Sequence, residues 1–122
     1  MIPAGELDTQ RRLTDAFIAA DATELELSRR PRTPDGAGGY ATGSPTAVAI
    51  QTFRLIPSVD GAQERTLADG RAVNPGYMLM GSAGADLLRF DEFTIAGRRY
   101  QVVFINENQQ YEVKGEVAYI GS

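Results

Sequence analysis

The pattern of apolar and polar positions along this 122-residue chain predicts one helix followed by several short β segments. Residues 6–20 predict a short N-terminal helix, because their large apolar side chains fall close to one helical face: Leu7, Leu13, Phe17 and Ile18. Residues 23–28 alternate strictly, with leucines at one parity and glutamates at the other. This alternation is typical of a half-buried strand.

The C-terminal third of the chain has the clearest β pattern. Strands are predicted at residues 93–95, 99–105 and 111–120, and Ala96–Gly97 forms the first hairpin turn between them. In the last strand one parity carries the larger apolar side chains, Tyr111, Val113, Val117 and Tyr119. The other parity carries Glu112, Lys114 and Glu116. We therefore predict a core face and a solvated face for this strand.

The middle of the chain predicts β structure with interruptions. Residues 47–57 form a long β segment whose apolar parity changes near Thr52, so we expect a bulge or bend there. Asp60–Gly61 and Asp69–Gly70 are turn dipeptides, and the polar stretch between them predicts an excursion or a minor hairpin. Residues 77–80 predict one further strand.

The segment from Arg29 to Pro45 stands apart because it contains three prolines and four glycines, a composition that predicts a loop without any regular element. Loops of this length are uncommon in compact domains and are usually functional or disordered. Its charged, glycine and aromatic positions are our candidate site: Arg29, Arg30, Arg32, Asp35, Gly36, Gly38, Gly39, Tyr40 and Gly43. The arginines either flank a solvated loop or contact phosphates or acidic residues of a neighbour. Tyr40 is either an anchor on a partner or a mobile ring.

Together these elements predict a mainly β fold in a single domain of residues 1–122. It is a small antiparallel β-barrel with one short N-terminal helix and a long loop between early strands. The net charge of -4 argues against general electrostatic binding of nucleic acid, which needs clustered Lys and Arg. The N-terminus lacks the pattern of a signal peptide and no apolar run spans a bilayer, so we expect a soluble, intracellular protein.

The chain has few of the residue types that catalysis uses. It contains no histidine and no cysteine, which removes the commonest general base, thiolate nucleophiles and most transition-metal sites. The acidic pairs Glu24/Glu26 and Glu112/Glu116 fall on outward strand positions and indicate solvated faces. A Gly-x-Gly-x-x-Ala match at residues 36–41 does not open a helix, so it does not indicate a dinucleotide site. We therefore expect no enzyme activity, no cofactor and no metal.

The run from Phe90 to Val103 contains an aromatic residue, an acidic pair, a hydrophobic pair, a glycine turn and the sequence Tyr-x-Val. A final strand follows from Tyr111 to Gly121. In this order the features resemble the head-closure, or stopper, proteins at the head–tail junction of long-tailed bacteriophages. These proteins are also known as head–tail connector or head-completion proteins.

The resemblance implies a β-barrel that forms a sixfold or twelvefold homo-oligomeric ring in the virion neck after assembly in the host cytoplasm. Its partners would be the head–tail adaptor ring, the tail terminator or tail tube proteins, and packaged double-stranded DNA bound without sequence specificity; no membrane is involved. The loop at residues 29–45 would project into the channel as a gate that retains DNA. The acidic balance fits a channel wall along which DNA slides.

Two other functions stay open. One is a different ring of the same junction, such as the adaptor or the tail terminator; adaptors are mainly helical, which the single short helix argues against. The other is a stand-alone β-barrel that binds a small ligand or an oligonucleotide. That function needs aromatic or arginine side chains on an exposed strand face. The aromatic residues here fall mainly at inward parity.

Overall fold

The computed structural model describes residues 4–34, 40–57, 63–106 and 110–121. Helix α1 spans Ala4–Ala20, which confirms the predicted N-terminal helix. The strands in these ranges are β1 (Thr23–Leu25), β2 (Ser28–Arg29), β3 (Arg32–Pro34), β4 (Tyr40–Thr42), β5 (Thr46–Ala47), β6 (Gln51–Pro57), β7 (Arg65–Thr66), β8 (Ala72–Val73), β9 (Tyr77–Ser82), β10 (Glu92–Ile95), β11 (Arg98–Asn106) and β12 (Glu112–Gly121).

Eight of these strands form one sheet in the order β1-β6-β9-β12-β11-β10-β2-β5, and every pairing in it is antiparallel. Only Glu26 and Leu27 separate β1 from β2. Strand β1 pairs with β6 near one end of the sheet, and Ser28 of β2 pairs with Glu92 near the other. A single run of chain therefore contacts both ends and curls the sheet. The predicted small antiparallel β-barrel with one N-terminal helix is confirmed.

The inside of the curled sheet holds the main hydrophobic core. Tyr100 lies at its centre, with ring centroids 5.3 Å from Phe93 in a stacked arrangement and 5.4 Å from Tyr77 edge to face. The buried members of this core are Leu25, Leu27, Phe53, Leu79, Leu87, Phe93, Tyr100, Val102 and Val117. Val113 also packs against it, as its parity in the last strand predicts.

The outer face of β11 and β12 is covered, so the prediction of a solvated face on the last strand is wrong. Residues 65–73 form the β7–β8 hairpin around the predicted Asp69–Gly70 turn. This hairpin brings Leu67 against Val103 and Ala118 in a second buried cluster. Glu112, expected in solvent, is only 5% exposed, and the Lys114 ammonium lies 3.0 Å from its carboxylate.

Helix α1 packs across β6 and β9 on the outside of the sheet. Thr14 and Ile18 are its buried residues, whereas Leu13 is 60% and Phe17 43% exposed. Of the apolar face predicted for the helix, Ile18 thus contacts the barrel while Leu13 and Phe17 remain largely open to solvent. No helix among the described residues is long and apolar enough to span a membrane.

The long β segment predicted at residues 47–57 is interrupted earlier than expected. Residues 48–50 separate β5 from β6, whereas the bend was predicted near Thr52. Val48 donates its N–H to the Leu27 carbonyl at 2.8 Å and packs against the core, while Ile50 is 64% exposed. The chain passes here from the hairpin strand β5 into the barrel strand β6, which explains the change of parity.

Close packing between β6, β9 and the loop after β9 requires a glycine at position 81. A Cβ atom there would lie 2.8 Å from Phe53 Cε1 and 2.8 Å from Ala85 Cβ. We expect Gly81→Ala to lower the free energy of unfolding by about 1–3 kcal/mol, because the ring and the loop backbone must move apart. Urea denaturation would measure this. Gly84→Ala, which meets nothing within 4 Å, is the matched control; equal losses in the two variants would contradict this packing.

Candidate functional site: the hairpin arm

Residues 28–34 and 40–47 form two paired stretches of chain, so the expectation of a segment without any regular element is wrong. At their base β2 pairs with β5, with Arg29 opposite Thr46. Farther out β3 pairs with β4, with Arg32 opposite Thr42 and Pro34 opposite Tyr40. We call residues 28–34 and 40–47 the hairpin arm. Cross-strand pairing organises this segment in spite of its glycine and proline content.

Two prolines and one glycine mark a bulge within the arm. Between the inner and outer pairs, residues 30–31 on one strand oppose residues 43–45 on the other, one residue more. Pro31 and Pro45 both lie here, where a missing N–H interrupts no regular ladder. The Gly43 N–H donates to the Pro31 carbonyl at 2.9 Å, and a Cβ at Gly43 would lie 2.7 Å from Pro31 Cγ. Gly43 is therefore needed for close approach.

The outer half of the arm forms a two-stranded sheet of its own, separate from the barrel sheet. At a rise of about 3.3 Å per residue, the chain from Arg29 to Pro34 extends on the order of 15 Å beyond the last barrel pairing. The arm is thus a ribbon that starts in the barrel and continues past its edge.

A buried ion pair fixes the base of the arm. Arg29 donates through Nε to Asp91 Oδ1 at 2.9 Å and through Nη2 to Asp91 Oδ2 at 2.8 Å, a bidentate contact. Its Nη2 also lies 2.9 Å from Asp86 Oδ1. Asp91 is 1% exposed and accepts a further hydrogen bond from the Leu88 N–H at 2.8 Å. The carboxylate is therefore well supplied with donors.

The hydrogen bond to Asp91 raises the pKa of Arg29; burial lowers it by less, and Asp86 adds to the rise. The pKa of Arg29 is higher in the folded protein than in the unfolded chain. The ion pair therefore contributes its full stabilisation at every pH below the unfolded pKa. This stabilisation is lost only at strongly alkaline pH. The charge of Arg29 is thus paired inside the protein, with Asp91 and Asp86.

The remaining predicted site residues divide into three groups. Arg30 is exposed and makes no ion pair within the part of the chain that the structure describes. Arg32 and Tyr40 belong to the paired strands β3 and β4, and Gly43 to the bulge. The other predicted positions lie outside the described residues: Asp35, Gly36, Gly38 and Gly39.

A mainly apolar cavity of about 280 Å³ lies beside the ion pair. We call it the arm-base cavity. Pro31, Ala68 and Leu88 contribute apolar surface to it, and the exposed side chains of Arg30 and Arg89 also line it. It therefore combines an apolar interior with a basic rim.

The acidic residues of the early strand lie outside the barrel. Glu24 and Glu26 are exposed, as their parity predicts, and line a groove of about 510 Å³ together with Glu92 and Arg99. Arg99 is paired with Glu92 at 2.8 Å. Within the described ranges no group of three or more His, Cys, Asp or Glu side chains is arranged to hold a metal ion.

The structure is similar to a chain from a solved structure titled "Virion of native gene transfer agent (GTA) particle". The two chains are 17% identical with a TM-score of 0.50, and the match covers 82% of this chain and 96% of that one. At this identity the similarity shows a shared fold. No protein-family model and no curated protein matches the sequence.

The anchoring role of Arg29 can be tested against its exposed neighbour. We expect Arg29→Ala to lower the free energy of unfolding by about 3–5 kcal/mol, because it leaves the buried Asp91 carboxylate without its cation. Arg30→Ala should change it by less than about 0.5 kcal/mol. Chemical denaturation of both variants at neutral pH measures the difference. Similar losses in the two variants would contradict the ion-pair anchor.

Proposed function

We propose that this chain is a structural protein of a phage-like virion and acts as the stopper ring of the head–tail junction. The observation that carries this proposal is the barrel fold shared with a virion chain over most of both sequences. In this function the barrel forms the wall of a ring. The ring closes the portal channel, retains packaged DNA and receives the tail.

The hairpin arm is the element suited to closing a channel. Its base is held by Arg29 and Asp91, so the arm leaves the barrel at a fixed place. Among the described residues, its outer strands pair with each other and not with the barrel sheet, so the arm can extend from the ring wall toward the axis. Several arms that converge on one axis would obstruct DNA without any sequence-specific contact, as retention requires.

The exposed charges of the barrel and the arm suit a position in the wall of a DNA channel. Glu24 and Glu26 give the barrel exposed acidic positions that repel the phosphate backbone, which lets DNA slide past the wall. Arg30 is an exposed cation at the base of the arm that can meet a phosphate or an acidic residue of a neighbouring copy. This differs from the three-arginine cluster expected from the sequence, because Arg29 is already neutralised.

Replacing the outer arm tests the gate. In the native chain the Gly43 N–H donates to the Pro31 carbonyl. The same hydrogen bond closes a two-residue β-turn, so Asn-Gly can replace residues Arg32–Thr42 and keep this bond. We expect the barrel to fold with near-native stability, since shortening a hairpin changes closure entropy little. Particles carrying it should lose packaged DNA. DNA content per particle, compared with Gly84→Ala particles, is the measurement; full, stable particles would contradict the gate.

The location of the protein tests the proposed function independently of the arm. Cryo-electron microscopy of particles that contain this chain should show the barrel as a ring in the neck, between the portal and the tail. Barrel density on the capsid surface or at the tail tip would contradict the stopper function.

A further inference from the structure

Helix α1 carries an apolar ridge that the described chain leaves largely exposed. Leu13 and Phe17 are one helical turn apart and lie beside the buried pair Thr14 and Ile18. We call Leu13 and Phe17 the helix ridge. Arg54 donates to the Phe17 carbonyl at 3.0 Å and its guanidinium lies 3.9 Å from the Phe17 ring centroid. This contact holds the aromatic ring in place while leaving it 43% exposed.

The arm-base cavity is a recess with matching properties. Leu88, which is 51% exposed, lies in its lining with Pro31 and Ala68. An apolar recess of about 280 Å³ with an exposed leucine can accept a large apolar side chain from outside.

The strand order places the ridge and the cavity on different sides of the barrel. Counting β1 and β2 as one strand, the order around the curled sheet is β1/β2, β6, β9, β12, β11, β10. Helix α1 covers β6 and β9. The cavity is lined by residues of β2, β10 and β11 and their flanking segments, on the opposite side. One copy therefore cannot fill its own cavity with its own ridge.

Charges of opposite sign flank the two surfaces, while Arg54 on the ridge and Glu92 in the cavity lining already have partners within the chain. Glu6 lies two helical turns before Leu13, and Asp21 follows one turn after Phe17. Both are exposed, so the ridge has an acidic residue at each end. The cavity rim carries Arg30 and Arg89. Opposite charges at the rim of an apolar contact favour one orientation of the partners.

We propose that the helix ridge of one copy occupies the arm-base cavity of the next copy. A contact between two different surfaces of the same chain is heterologous, and it closes into a ring when the rotation per copy divides the circle. This inference rests on the proposed ring and names the residues that join its subunits. It also places the neighbour's Leu13 and Phe17 against Pro31, at the root of the hairpin arm.

Cysteine cross-linking tests the contact directly, because the chain has no native cysteine. Leu13→Cys and Leu88→Cys each replace an exposed side chain. A short bismaleimide joins nearby thiols with less demanding geometry than a disulfide. We expect a mixture of the two single variants to give a covalent dimer and no larger species. The double variant should give a ladder that ends in a closed ring, and neither single variant should cross-link with itself.

Two controls identify the surface. Ile50→Cys is equally accessible but belongs to neither surface, so its mixture with Leu88→Cys should give at least tenfold less dimer. Adding Phe17→Glu to the Leu13→Cys chain should reduce the dimer by a similar factor, whereas adding Ile50→Glu should not. Dimers of Leu13→Cys alone would show a symmetric contact and overturn the proposal. The proposal would also be overturned if the Leu13→Cys and Leu88→Cys mixture gave no more dimer than the mixture of Ile50→Cys with Leu88→Cys.

The cross-linking experiment and the location of the protein in the virion test different claims. A barrel found outside the neck would contradict the stopper function and leave a positive cross-link standing as a contact between copies. A failed cross-link would remove this contact even if the barrel lies in the neck.

Discussion

The ion pair between Arg29 and Asp91 is the constraint on which the rest of the arrangement depends. A carboxylate that is 1% exposed is costly to bury unless a cation and further donors surround it. Arg29 supplies two of these hydrogen bonds only when β2 lies beside the turn that precedes β10. The Asp91 carbonyl in turn accepts the Val102 N–H at 2.8 Å, which ties the same turn to β11. The pair therefore sets both where the sheet closes and where the hairpin arm leaves it.

Stability is unevenly distributed along the arm as a consequence. The base combines an ion pair, a backbone ladder and packing against the core, whereas the outer strands have only each other as backbone partners. The bulge at residues 30–31 and 43–45 separates the two parts. Local opening takes least free energy where few buried contacts are lost. The outer arm can thus change position at low cost while the barrel stays intact, which is the property a channel gate needs.

The elements that depend on neighbouring residues were predictable from the sequence, and those that depend on distant partners were not. Helical periodicity was enough to predict the helix, and alternation with turn dipeptides was enough for the C-terminal strands and the Asp69–Gly70 turn. The buried role of Asp91 was not predictable, because its partner, Arg29, lies 62 positions away and no spacing in the sequence connects them. The prediction of a solvated face on β12 was wrong for the same reason, because the β7–β8 hairpin, which is distant in sequence, covers that face. In the arm, glycine and proline serve a bulge between paired strands, and composition alone does not distinguish a bulge from an irregular loop.

The proposed contact between copies links ring formation to the arm. Pro31 belongs to the bulge through its carbonyl, which holds Gly43, and its ring also lines the cavity that receives the neighbour's helix ridge. Arg30 adjoins it on the basic rim. A subunit seated there constrains the segment about which the outer arm moves, so the arm of each copy is oriented by the copy beside it. An isolated barrel lacks this constraint. In the proposed ring, the direction of the arms would then depend on ring closure, and one set of contacts would both build the ring and set the proposed gate.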